Sequence, residues 1–193
     1  LDKIFLLLEE EPDVTDAPDA IDLGRIEGRI DFSDVDFSYS DTGQPLALDG
    51  ISLSIPAGTT VALVGETGAG KSTLAKLAAR FHDPTAGAVL VDGHDLRRVT
   101  ARSLRSQMGI VPQEPFLFSG SIADNIAFGR PGASRDQVIA AGTIVGLDAT
   151  VEGFTDGWDS EVGERGVQLS SGQRQLVAFA RALVADPRVL ILD

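Results

Sequence analysis

Residues 65–73 read G-E-T-G-A-G-K-S-T, a complete G-x-x-x-x-G-K-[ST] loop between the apolar run of residues 61–64 and a helical pattern that opens at Lys71. No other stretch constrains the fold as strongly. In a strand–glycine loop–helix unit the backbone N–H groups of the loop curl around an anion at a helix N-terminus. Gly65, Gly68 and Gly70 let the backbone approach phosphates with no Cβ in the way. Lys71 is suited to neutralise β/γ-phosphate charge, and the Ser72 hydroxyl suits Mg²⁺. Glu66, Thr67, Ala69 and Thr73 complete the expected contact set. The pattern predicts a site for a nucleoside triphosphate; its structural alternative is a glycine-rich turn before an ordinary amphipathic helix.

At 193 residues and 43% hydrophobic content, the chain is long enough to bury a substantial core as one domain, with room for an inserted lobe. Its lack of cysteine excludes disulfides, thiolate metal sites and cysteine nucleophiles, and with His82 and His94 as the two histidines a histidine-rich metal cluster is not expected. Of the net charge of −13, residues 1–28 contribute −7, from nine acids against two bases. The body is acidic too, which argues against nucleic acid as a partner. No apolar run reaches the length of a membrane span, and both ends of the sequence read as cuts within a longer protein.

Residues 1–10 suggest the last turns of a helix, and residues 11–28, with two prolines and many acids, a linker. The domain is expected from about Arg29. Apolar residues alternate at Ile30, Phe32, Phe37 and Tyr39, with a bulge expected near Asp34, and again at Ile51, Leu53 and Ile55 before a Pro-Ala-Gly turn. These predict antiparallel strands. Residues 61–64 predict a buried strand; Leu74, Leu77, Ala78 and Phe81 then repeat at helical spacing. Further strands are expected at 88–91, 108–111 and 189–192, with a short helix at 102–107. Residues 121–155 predict a helical lobe with starts near Ser121 and Ser134, and residues 171–185 a helix with Leu176, Phe179, Ala180 and Leu183 on one face. Three apolar strands thus end in polar elements: the glycine loop, Gln113 and Asp193. In an open parallel sheet ligands sit beyond the carboxyl ends of the strands, so these groups can converge on one nucleotide and its metal.

With Leu169-Ser170-Ser171-Gly172-Gln173 added to the phosphate loop, Gln113 and Asp193, in that order, residues 26–193 resemble an ATP-binding cassette (ABC) ATPase domain. The segments L-F-S-G-S-I-A-D-N-I at 117–126 and E-V-G-E-R-G at 161–166 resemble those of exporter half-transporters. The resemblance implies an α/β fold: a P-loop NTPase (RecA-like) core of mainly parallel strands, an antiparallel β-subdomain and an inserted α-helical subdomain. Residues 1–28 would follow a transmembrane domain as a linker. The ABC ATP-binding domain would span 29–193, with core and β-lobe at 29–113, a helical lobe at 114–185 and a return strand at 186–193.

The same resemblance implies roles residue by residue. Tyr39 would stack on adenine, whereas from sequence alone it is equally a sheet-surface aromatic. Gln113 would reach Mg²⁺ and the attacking water, and Asp193 would hold Mg²⁺ through water. Residues 170–173 are a capping box on their own terms, and in the family such a helix end faces the γ-phosphate of ATP bound by the opposite subunit. Ser171 stands where the usual pattern has glycine. Glu164 and its neighbours would touch the transmembrane partner. His82, His94 and Trp158 read as two loop histidines and one partly buried loop aromatic.

The expected cofactors are ATP and Mg²⁺, and Lys71, Gln113 and Asp193 are the candidate catalytic residues. The expected partners are a second ABC cassette, met head to tail as a homodimer or heterodimer, and the transmembrane domains of the same transporter, at the cytoplasmic face of the cell membrane. The catalytic glutamate and switch histidine of the family would follow Asp193, so the 193-residue chain is expected to bind ATP and hydrolyse it poorly. The alternatives are a soluble ABC ATPase, a separate importer subunit, and a degenerate regulatory cassette.

Overall fold

A computed structural model describes residues 12–40 and 45–193, which leaves the helix turns expected in residues 1–10 outside the described residues. The chain divides into two compact units, one up to Leu104 and one from Arg105 to Asp193.

In the first unit β1 (Ile30–Phe37), β2 (Leu48–Ile55), β3 (Ala86–Val91) and β4 (His94–Asp95) form an antiparallel sheet in the order β2-β1-β3-β4. Ile30 and Phe32 are buried, and so are Val35 and Phe37. The step from Phe32 to Val35 is odd, so a regular pleat would turn the second pair to the other face. A bulge resolves this, as expected. The register slips between Phe32 and Val35 against β2 and between Ser33 and Asp36 against β3, and Asp34 takes φ 49°.

Helix α1 (Lys71–Ala78) buries Leu77 and Ala78. It stops before Phe81, which the helical spacing had included, because Arg80 turns left-handed at φ 52° and leaves Phe81 exposed. Residues 61–64, expected as a buried strand, form none and are exposed, Val64 by 93%. A short apolar run becomes a strand only where a neighbour satisfies its backbone groups, and among the described residues no strand pairs with it.

The acidic segment before β1 makes specific contacts within this unit. Ile21 bridges Val99 in parallel, Ile26 is buried, and the N–H groups of Glu27, Gly28 and Arg29 all donate to the Asp92 carboxylate, at 2.7, 3.1 and 2.9 Å. Arg80, only 1% exposed, donates to Asp16 and Asp83 at 3.1 Å each, to the Val99 carbonyl at 2.6 Å and to the Thr15 carbonyl at 3.2 Å. Asp16 also accepts from the N–H of Ala101, the first residue of helix α2 (Ala101–Arg105). A buried guanidinium persists only when its charge and donors are matched. Asp16→Ala is therefore expected to cost about 1.5–3 kcal/mol, the range for hydrogen bonds to charged groups. Hydrogen exchange should quicken in residues 12–24, and unchanged exchange there would contradict the anchoring role.

In the second unit β5 (Met108–Val111) and β6 (Val189–Leu192) pair in parallel with Val111 opposite Leu192. Helices α3 (Ile122–Ala127), α4 (Arg135–Ile144), α5 (Asp148–Val151) and α6 (Ser171–Val184) complete it. The expected starts at Ser121 and Ser134 are both N-caps with capping boxes, closed by Asp124 and Gln137. Hydrogen bonds from the Ser121 side chain, then its backbone, hold the Asp124 carboxyl below its usual range. Because the folded-state value is the depressed one, the stabilisation is present above the unfolded value and is lost as pH falls through the folded one. Thermal midpoints of Asp124→Ala should fall below wild type at neutral pH and converge with it as pH drops below the ordinary carboxylate range. A gap that stays constant with pH would contradict this.

Helix α6 buries more than the one face expected. Val177, Ala180 and Val184 join Leu117, Ile122, Ile126 and Leu147 in the main cluster, while Ala178 and Ala182, with Phe179, pack on Val111. A helix packed on two sides needs small residues where the second layer is close. Gly109 of β5 obeys the same limit, since a Cβ there would lie 3.2 Å from Ala182.

Candidate nucleotide site

Within the first unit the glycine loop runs directly into α1. Gly68 and Gly70 take φ of 86° and 84°, which L side chains resist. Gly70 is the N-cap of α1, and no side chain caps it. The first-turn N–H groups and the positive end of the helix dipole thus face a loop built from backbone, the arrangement that takes an anion. A Cβ at Gly70 would lie 2.6 Å from Leu48 Cδ2 and 2.9 Å from the Ala47 carbonyl, so the loop is packed tightly against the start of β2. The N–H of Ala69 closes a turn onto the Glu66 carbonyl at 3.1 Å. The Lys71 ammonium donates to the carbonyls of Gly65 at 2.9 Å and Glu66 at 2.7 Å, which holds its charge at the loop rather than out in solvent. Thr67 is an exposed residue of the loop, and Ser72 follows Lys71 in the first turn of α1.

Tyr39 lies two residues past the end of β1, 54% exposed, with its hydroxyl 3.1 Å from the hydroxyl of Thr73 in α1. The Lys76 ammonium lies 5.5 Å from its ring centroid. Tyr39, Thr73 and Lys71 are therefore brought together in one unit, as a single nucleotide site requires. A backbone cradle with a cation at its mouth and an exposed aromatic tied to the same helix fits a nucleoside triphosphate.

In the second unit Gln113 comes two residues after Val111 and Asp193 directly after Leu192, so they leave the carboxyl ends of adjacent parallel strands. The Asp193 N–H continues the ladder onto the Val111 carbonyl at 3.0 Å. Among the described residues no group of three His, Cys, Asp or Glu could hold a metal. Ser72 in the first unit, and Gln113 and Asp193 in the second, each carry an oxygen donor of the hard kind that Mg²⁺ takes. The capping box expected at residues 170–173 is formed: Gln173 Oε1 accepts from Ser170 N–H at 2.8 Å and Ser170 Oγ from Gln173 N–H at 3.2 Å. Ser171 and Gly172 are exposed at the first turn of α6, and a Cβ at Gly172 would meet nothing.

Two features escaped the sequence reading. His82, taken as a loop histidine, lies 5.4 Å from both the Phe37 and Tyr39 rings. Phe116, Phe118 and Phe128 form an exposed aromatic patch, with ring centroids 5.2 Å apart for Phe116 and Phe118 and 4.4 Å apart for Phe118 and Phe128. The Arg181 guanidinium lies over the last two rings and donates to Asn125 and Phe116, and burial lowers its pKa. No periodicity marks either group, because loops, a helix end and α6 bring these residues together only in the fold.

Known proteins resemble this chain in sequence and in fold. The model of the ABC transporter family matches residues 48–193. YknV of Bacillus subtilis (strain 168), described as an uncharacterized ABC transporter ATP-binding protein, is 48% identical over 192 residues, covering 100% of this chain and 32% of its own length. ATP-binding cassette sub-family B member 6 of Homo sapiens is 44% identical over 193 residues, again 100% of this chain and 23% of that protein. The structure of a bacterial Atm1-family ABC exporter with ATP bound superimposes with a TM-score of 0.93 at 43% identity, over 100% of this chain and 33% of that one. The chain thus spans about a third or less of the relatives it matches. The fold is the α/β P-loop NTPase fold of ABC ATPases, with its antiparallel β-subdomain. The chain belongs to the ABC transporter family, as its ATP-binding domain, and matches an exporter of that family over its full length.

Proposed function

We propose that this chain is the ATP-binding and ATP-hydrolysing cassette that powers export of a substrate across a membrane. The carrying observation is the phosphate loop: left-handed Gly68 and Gly70, an α1 N-terminus without a side-chain cap, and the Lys71 ammonium held at the loop. Lys71 neutralises charge on the β- and γ-phosphates, the loop N–H groups of residues 65–73 cradle them, and Tyr39 stacks on the base. Ser72, Gln113 and Asp193 are the protein groups that would hold Mg²⁺, which supplies charge neutralisation at the terminal phosphate when bound. Gln113 also orients the attacking water. Catalysis is then positioning and electrostatics, and with no general base among these groups the 193-residue chain turns ATP over poorly.

Residues 170–173 present the N-terminus of α6 to the triphosphate of a second cassette, met head to tail, which is the same chain or a related one. Closure of the pair moves transmembrane domains at the cytoplasmic face of the membrane. Among the described residues no helix is long and apolar enough to span a membrane. The exposed Phe116, Phe118 and Phe128 patch supports a contact with the transmembrane domains, because aromatic rings in such a cluster are anchors for a partner. In the full-length transporter, Phe118→Ser with Phe128→Ser should reduce transport by about tenfold or more while ATP affinity stays unchanged. Unchanged transport would remove the patch from the coupling surface. For the nucleotide reading itself, a fluorescent ATP analogue bound to the chain should be displaced by ATP and not by equal AMP. Equal displacement by AMP would contradict recognition through the phosphate loop.

A further inference from the structure

The Tyr39 ring poses a physical problem for a base platform. It lies beyond the end of β1 and is 54% exposed, so burial alone does not fix it. A free aromatic side chain loses rotamer entropy when a base stacks on it, and a ring already held in place loses less. Three groups restrain it besides the Lys76 ammonium. Its hydroxyl meets Thr73, Phe37 packs against it in a T-shaped contact at 4.8 Å, and His82 does the same at 5.4 Å with the planes 86° apart.

His82 is the one of these that belongs neither to the phosphate loop nor to the sheet. Its imidazole also packs on Phe37, at 5.4 Å with a tilt of 39°. Phe37 is only 4% exposed, so the three rings form a triangle with one corner in the core and one at the exposed ring. His82 lies between Arg80, whose guanidinium is buried and bonded on several sides, and Asp83, which accepts from Arg80 at 3.1 Å, so its backbone is held at both flanks. Core rigidity thus reaches Tyr39 by two routes, directly from Phe37 and through His82. We infer that His82 is a positioning residue for nucleotide binding, holding the Tyr39 ring in the orientation that receives the base. This rests on the proposed stacking role of Tyr39.

The test compares binding of Mg-ATP with binding of inorganic tripolyphosphate and Mg²⁺, which engages the phosphate loop and carries no base. The proteins are wild type, His82→Ala, His82→Phe and Tyr39→Ala. His82→Ala should weaken Mg-ATP by about 2- to 10-fold, the scale of one aromatic pair, and leave tripolyphosphate unchanged. His82→Phe should recover most of the loss, because it keeps a ring at the same place. Wild-type ATP affinity in His82→Ala, or an equal loss for both ligands, would overturn the inference, the second outcome marking a merely structural role. Tyr39→Ala separates the two layers. Loss of ATP affinity in Tyr39→Ala with none in His82→Ala leaves the stacking role standing and removes His82. No selective loss in Tyr39→Ala removes both.

Discussion

Gly87→Ala is expected to lower the thermal midpoint of the chain more than any other single methyl group added to the first unit. A Cβ at Gly87 would lie 2.1 Å from the Asp34 carbonyl oxygen and 2.4 Å from that of Ser33, both backbone atoms of the β1 bulge. Neither can swing aside as a side-chain tip can. The residue also sits at φ 74°, where an L side chain costs about 1–2 kcal/mol before any overlap. Overpacking against backbone adds about 1–3 kcal/mol, and together the two consume much of the 5–15 kcal/mol that a domain has. Gly93→Ala is the control, because Gly93 has φ 83° and a Cβ there meets nothing within 4 Å. The difference between the two melts isolates the overlap with the bulge, and equal melts would contradict it.

Gly70→Ala should have the largest effect on nucleotide binding. Its Cβ would meet Leu48 Cδ2 at 2.6 Å and the Ala47 carbonyl at 2.9 Å, and φ is 84°. Relief requires the loop to move relative to β2, and the loop is the phosphate cradle. A shift of about 1 Å in positioned groups can cost on the order of 10²-fold in rate, and a loss of similar order is expected here in affinity. Gly68→Ala carries similar strain at φ 86° with open space around the new Cβ, so its loss should be smaller. Adding Leu48→Ala to Gly70→Ala removes the closer of the two overlaps and should recover part of the affinity. Equal affinities for Gly68→Ala and Gly70→Ala, as measured by Mg-ATP titration, would show that loop packing against β2 is not what shapes the cradle.

What could be read in advance is what has a local cause. The phosphate loop and the caps at Ser121, Ser134 and Ser170 are short motifs whose hydrogen bonds close within six residues. The bulge at Asp34 announces itself as a break in alternation between Phe32 and Val35. Strands β5 and β6 have the bounds expected, because short apolar runs between polar stretches find each other as partners. The strand expected at 61–64 has equal apolar character and lacks a partner among the described residues, and periodicity says nothing of partners. Helix α6 was legible as a helix, but its second buried side depends on where β5 lies. His82 and Arg80 were illegible for the same reason. One histidine and one arginine carry no pattern, and their roles arise from residues up to 65 positions away.

The most direct test of the nucleotide site is a calorimetric titration of the 193-residue chain with ATP, with and without Mg²⁺, beside Lys71→Ala. Saturable binding at one site is predicted, weakened when Mg²⁺ is omitted and about 10- to 100-fold weaker in Lys71→Ala, the scale of a hydrogen bond to a charged group. No saturable heat, or wild-type affinity in Lys71→Ala, would contradict the assignment of the loop as the site that holds ATP.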